Sequence, residues 1–302
     1  MIRQACPYQQ VVSGFFNYPL YTPLYEGFSH PTASLAGIPG VTQSLITNHC
    51  SDPSILGTFV ENHDLTRFWN QTSDVTLGKN AATYLVFAEG IPFVYAGFET
   101  MQAGAYPNYN RDPLWPAGWK ETDMHTFLGT LNKLRNGVIN KDGDNFLKGG
   151  MKFLYSAGNA LVFKRGDIIV FTSNVGTNGA NVQVVTQDTG LSKDTEMIDG
   201  LSNSTVTVGD GGVMTVIISH GMPMVFYPKT EYIKIVPSTK LIDTAQNISS
   251  PGTPGNSNST QTNGTTTKSV ATRLTGEQMN PWKLAFCGVT FIWGAWFIMF
   301  EY

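Results

Sequence analysis

Gly57-Thr58-Phe59-Val60-Glu61-Asn62-His63-Asp64, followed shortly by Arg67-Phe68, decides the fold of this 302-residue chain. The apolar run 56–60 reads as a short strand, and it delivers a His-Asp pair to its own C-terminal end. In parallel α/β architectures that end of a strand carries the functional site. A carboxylate beside an imidazole there suits gripping hydroxyl groups and stabilising positive charge.

Outward from this stretch, strands and helices alternate across 1–140. Residues 12–18 are a strand candidate and 20–28 a short helix. Residues 74–88 have helical spacing, with Leu77, Ala81, Ala82, Leu85 and Val86 on one side. The run 91–95 is entered through Gly90 and left through Gly97, the pattern of a buried parallel strand. Residues 123–140 read as a helix burying Phe127, Leu128, Leu131, Leu134 and Val138. Such alternation implies βα units and a parallel sheet. Three strands are too few to close a barrel of eight.

The character changes after residue 150. Short strand candidates at 153–155, 161–164, 168–173, 182–185, 206–208 and 214–218 are separated by Gly, Asn and Asp turns. This is the pattern of an antiparallel β-sandwich. Arg165-Gly166-Asp167 falls where a hairpin turns and is read as turn chemistry, not as an adhesion motif.

The net charge of −3 argues against a nucleic-acid partner. Charged residues make up 14% of the chain, against about 25% in typical domains. Together with 31 Gly, 12 Tyr and 6 Trp, this fits a secreted, carbohydrate-active protein. Of the three cysteines, Cys287 lies in an apolar tail, which leaves Cys6 and Cys50 as one possible pair. Glycosylation sequons begin at Asn70, Asn203, Asn247, Asn258 and Asn263. The first residues contain no apolar signal-peptide core, so a chain with secretory features is expected to lack its N-terminal part.

Residues 244–272 are almost all Ser, Thr, Asn, Gly and Pro, the composition of a disordered stalk. Residues 284–300 then run without a charge, and the chain stops two residues later. Small residues, a polar spacer and a terminal apolar tail make the composition of a glycosylphosphatidylinositol (GPI) attachment signal. A membrane-spanning helix and a buried core helix are the alternatives.

Three segments resemble the fungal α-amylases of glycoside hydrolase family 13. They are Gly57–Asp64 with Arg67-Phe68, the run from Gly90 to Glu99, and Ala5-Cys6-Pro7-Tyr8-Gln9 with Phe16-Asn17-Tyr18-Pro19. They look like the family's seventh-strand motif, its eighth-strand motif, and the segment from just after the fifth strand into the sixth. The resemblance implies an α/β fold: the last three βα units of a (β/α)8 TIM barrel, an antiparallel β-sandwich and a disordered Ser/Thr-rich tail. The implied divisions are a partial barrel over 1–143, the sandwich over 144–237, the stalk over 238–283 and the apolar tail over 284–302.

The resemblance also implies a retaining glycosidase acting on α-1,4-glucan, with the third carboxylate of the family at Asp64 and sugar contacts from His63 and Arg67. It implies a Cys6–Cys50 disulfide. The nucleophile and acid/base belong to the fourth and fifth strands, and the main calcium ligands to earlier segments. None of these is matched here, so the chain as written is expected to be inactive and to hold no metal. An incomplete gene model or a truncated copy is the favoured origin. The implied partner is α-glucan, reached by a monomer on the cell surface or wall that is held to the plasma membrane by a GPI anchor or tail helix.

Some positions depart from the pattern. Leu65-Thr66 stand where Asn-Pro is usual, Phe98 where Gln is common, and Pro107 precedes Asn110-Arg111 where many relatives carry a sugar-binding Asp. A cleft with fewer polar contacts favours a different acceptor, which keeps 4-α-glucanotransferase in fungal cell-wall synthesis as an alternative. A non-catalytic α-glucan-binding wall protein is a third reading. Glu61 and Asn62 are read as structural, Glu99 as cleft-lining or capping, and Trp69, Trp115 and Trp119 as packing residues or sugar platforms. Arg67 has a second reading as half of a structural ion pair.

Overall fold

The computed structural model describes residues 6–48, 50–235 and 297–298. Two short parallel strands stand at its centre. Strand β1 (Gly57–Thr58) pairs with β2 (Ile91–Pro92) in the register Gly57 to Ile91 and Thr58 to Pro92. On the other side of β1, Phe16 forms a single parallel bridge to Gly57. The strand expected over 12–18 is thus reduced to one bridge, because helix α1 (Tyr18–Ser29) starts two residues later, with the Asn17 side chain capping Leu20 N–H. Gly57 has no substitute here: a Cβ would lie 2.8 Å from the Phe93 ring and 3.1 Å from that of Phe16.

The helices form a layer around these strands. They are α1, α2 (Gly37–Asn48), α3 (Val75–Phe87) and α4 (Asp123–Asp142), followed by a single turn, α5 (Asp144–Leu147). Helix α2 has no counterpart in the sequence reading, since its Gly and Pro content hides the period. Asp74 and Thr122 supply the N-cap oxygens of α3 and α4. Strand β3 (Val94–Tyr95) continues the β2 segment, and β12 (Phe297–Ile298) lies antiparallel to it.

Beyond residue 150 the strands are β4 (Met151–Ala157), β5 (Ala160–Arg165), β6 (Ile168–Ser173), β7 (Val182–Thr186), β8 (Glu196–Asp199), β9 (Thr205–Thr207), β10 (Met214–Ile218) and β11 (Met224–Pro228). A short helix, α6 (Lys229–Ile235), ends this part. Six strands form one antiparallel sheet, in the order β4-β5-β6-β11-β8-β9, and β10 pairs with β7 in a second. Strands β8 and β11 were not foreseen. They are short and lack clean alternation.

The six-stranded sheet is apolar on both faces, and alternate residues go to different cores. Leu161, Phe163, Ile168, Val170, Val225 and Tyr227 share a core with α1, α3 and α4. Ala160, Val162, Ile169, Phe171 and Phe226 face the β7–β10 pair. Leu131 and Leu134, on the face of α4 that the sequence spacing marks as buried, lie in a core that crosses residue 143. The Arg165-Gly166-Asp167 turn joins β5 to β6, with Gly166 at φ +56°. Arg165 is buried and donates to the carbonyls of Ala88 and Leu147, so its guanidinium is not offered for adhesion.

Most of the stalk and tail, with the sequons at Asn247, Asn258 and Asn263, lies outside the described residues. Among the described residues no helix is long and apolar enough to cross a membrane.

Candidate active site

The chain leaving β1 turns at once. Asn62 bends it by accepting the Asp64 N–H on Oδ1 at 2.9 Å, while its own amide donates to Tyr18 Oη at 2.9 Å. Beyond this turn the side chains of His63 and Asp64 emerge side by side. His63 Nε2 lies 3.3 Å from Asp64 Oδ2, and the Asp64 side chain is 51% exposed. The other oxygen, Oδ1, accepts from Arg111 Nη2 at 3.0 Å. Pairs this exposed contribute little to stability, about 0–1 kcal/mol. Their effect is to orient the carboxylate.

Beneath the pair lies a buried charge cluster. Arg67 and Glu61 are both almost fully buried and meet at 2.9 Å. Glu61 Oε2 accepts the Phe68 N–H at 2.6 Å. Burial raises the Glu61 carboxyl above its ordinary value, opposed by Arg67 and by the Phe68 N–H. Arg67 also donates to Ala96 O at 2.8 Å and to Gln102 Oε1 at 3.2 Å, and stacks 3.9 Å over the Tyr95 ring. The substrate-binding expectation for Arg67 is therefore corrected. Its guanidinium is spent on the protein interior, where it joins the two strand-end loops.

The remaining candidates separate clearly. Glu99 accepts the Gly97 N–H at 2.9 Å and so caps its own turn. Phe98, 1% exposed, packs against Phe68 and Trp69 and lines no cleft. Trp69 is buried and donates to Phe98 O at 2.9 Å; its ring lies 2.1 Å from where a Cβ on Gly78 would stand. Trp115 and Trp119 are exposed. Asn70 and Asn203, the described sequon residues, are exposed as well. Cys6 and Cys50 are joined by a disulfide.

The neighbours of Asp64 that sequence reasoning missed are Asn110 and Arg111. Asn110 Nδ2 donates to the carbonyls of His63 and Leu65, and Arg111 Nε donates to His63 O at 2.8 Å. They lie more than 45 residues along the chain, a separation that carries no periodic signal.

Chemically, the site presents one fixed, half-exposed carboxylate beside an imidazole. The oxygens of Glu61 are occupied inside the protein, and Glu99 caps a turn, so neither is set opposite Asp64 as a partner acid. Among the described residues no three His, Cys, Asp or Glu side chains converge to hold a metal ion. The resemblance puts the main calcium ligands of full-length members in segments earlier than those matched here, and no calcium site is assigned to the described residues.

Comparison with known proteins gives the family. Residues 153–235 match the family model of α-amylase domain C. The chain is similar to α-amylase 1 of Schwanniomyces occidentalis, 34% identical over 230 residues, covering 74% of this chain and 44% of the relative. It is also similar to the α-amylase of Saccharomycopsis fibuligera, 33% identical over 224 residues with the same two coverages. Among solved structures, an α-amylase from Malbranchea cinnamomea superposes with a TM-score of 0.74 at 31% identity, over 76% of this chain and 49% of that one. The chain spans less than half the length of these curated relatives.

Proposed function

Because this chain belongs to the α-amylase family, to whose C-terminal part it corresponds, we propose that it carries the Asp64 side of a retaining glycosidase acting on α-1,4-linked glucan. One observation supports this most: a half-exposed carboxylate held beside His63 at the C-terminal end of a parallel strand. Such a carboxylate, fixed in advance, binds sugar hydroxyls and stabilises the positive charge of an oxocarbenium-like transition state without reorganising. His63 supplies a neighbouring hydrogen-bonding group. Neither residue attacks the sugar. We assign the nucleophile and the acid/base to strands outside these 302 residues, and the chain alone to background activity.

The test joins this chain to the five βα units that complete a barrel of eight, taken from a fungal α-amylase. Asp64→Asn keeps the shape and removes the charge, and is expected to lower kcat about 10²–10³-fold. A loss below about threefold would exclude Asp64 from this role. Turnover by the 302-residue chain alone, abolished by Asp64→Asn, would overturn the division of roles.

Transfer to a second glucan, as in a 4-α-glucanotransferase, is the alternative outcome. It draws support from Leu65 and Thr66, which remain partly exposed next to Asp64. It draws none from Phe98, which is in the core. Product analysis on maltoheptaose separates the two: longer oligosaccharides mark transfer. We place the protein at the cell surface, on the composition of the stalk and tail and on the exposed sequons at Asn70 and Asn203.

A further inference from the structure

We propose that Asn110, on the loop after β3, is a positioning residue that fixes Asp64 from behind, an inference that rests on the role proposed for Asp64. Asn110 is 0% exposed. Its Nδ2 donates to His63 O at 2.7 Å and to Leu65 O at 2.9 Å, the carbonyls on either side of Asp64. From the opposite side, Asn62 accepts the N–H of Asp64 at 2.9 Å and that of Leu65 at 3.3 Å. The backbone of Asp64 is thus held through its donors by Asn62 and through its flanking acceptors by Asn110. Tyr95 Oη donates to Asn110 O at 3.4 Å and ties this residue back to β3.

The residue type follows from the geometry. One amide nitrogen with two hydrogens reaches two carbonyls at once, which Leu and Asp cannot do. Asn110 itself is shielded from water, so the donor side of both bonds meets less competition than an exposed side chain would. Arg111 also reaches His63 O, but its side chain is 56% exposed, and water competes for its contacts. Asn110 therefore sets position, and Arg111 contributes charge. Two more bonds join the same loops: Arg67 N–H to Gly104 O at 2.9 Å and Tyr106 N–H to Thr66 Oγ1 at 3.3 Å. These bonds tie the loop carrying Asp64 to the loop carrying Asn110.

The experiment is amide hydrogen exchange by NMR on the full chain, together with the His63 ring nitrogen signals. Asn110→Leu keeps the branching of the side chain and removes both donors. The Asp64 and Leu65 amides are expected to exchange about tenfold faster or more. The His63 signal should shift toward that of an Asp64→Ala chain, while amides of β5 and β6 keep their protection. Unchanged exchange at Asp64 and Leu65, or equal acceleration throughout β5 and β6, would overturn the proposal. Arg111→Gln is the second variant and is expected to leave exchange at Asp64 within about twofold. A tenfold acceleration there would move the positioning role to Arg111 and overturn the assignment, whether or not Asn110→Leu folds. The readout is position and not turnover. Faster exchange in Asn110→Leu, combined with an Asp64→Asn enzyme of full activity, would sink the proposed function and retain the positioning.

Discussion

Asp74 and Thr177 are joined by two hydrogen bonds that connect the helical layer to the β-sandwich. Thr177 Oγ1 donates to Asp74 Oδ1 at 2.7 Å, and Thr177 N–H donates to Oδ2 at 2.8 Å. The same carboxylate caps α3 by accepting the Thr76 N–H at 2.8 Å. One side chain therefore starts a barrel helix and anchors a sandwich loop.

Replacing Asp74 by Ala removes both functions at once. The expected cost is about 1–3 kcal/mol, measured by urea unfolding. A change below about 0.5 kcal/mol would show that water replaces these bonds.

The same group carries a pH signature. Partial burial raises the Asp74 carboxyl, but the bonds from Thr177, Thr76 and Leu77 outweigh this and hold it below its ordinary value. A carboxyl lowered on folding contributes stability above its unfolded pKa, about 3.9, and loses it as pH falls through the folded value. Asp74→Asn should flatten the acid limb of stability below about pH 4. An unchanged limb would assign the acid sensitivity to other carboxylates.

The Glu61–Arg67 pair should respond differently to single and double substitution. Arg67→Met leaves a buried carboxylate without its partner and is expected to cost about 3–5 kcal/mol. Burial already raises Glu61, and without Arg67 it rises further. The folded state then binds the extra proton, so stability of the variant falls as pH rises above the ordinary Glu range. Adding Glu61→Gln should recover part of the loss and remove this slope. An Arg67→Met chain equally stable at pH 5 and pH 8 would mean that the carboxylate finds another partner.

The Cys6–Cys50 bond closes a long loop, with a sequence separation of 44. The chain-entropy model gives it roughly 4 kcal/mol. Unfolding with and without reductant measures this contribution. Two free thiols in non-reducing peptide maps of secreted protein would rule the bond out.

Surface anchoring has a direct assay. Phosphatidylinositol-specific phospholipase C should release protein made with a signal peptide from membranes. Retention, with an epitope near Tyr302 still present, would favour a spanning helix.

Much of this molecule was legible from residue order alone. The apolar spacing over 74–88 and 123–140 announces α3 and α4, because a helix brings every third or fourth residue to one face. Strands β5 and β6 are legible as apolar runs bounded by turn residues, but they are apolar on both faces, so residue order alone does not say which face meets which core. The motif around His63 and Asp64 told its family because its residue types and spacing are unusual. Local sequence could not say what covers each face. The outer face of the six-stranded sheet could have met water, yet it meets α3 and α4, and so Leu131 and Leu134 are buried. Nor could it distinguish an Arg67 that touches sugar from one sealed against Glu61, because burial depends on Tyr95, Ala96 and Gln102 from another strand and its loop. Asn110 reaches His63 only because β1 and β2 are parallel neighbours whose following loops meet at one end. Helical spacing and turn chemistry act over a few residues; the site depends on contacts that exist only after distant segments are brought together.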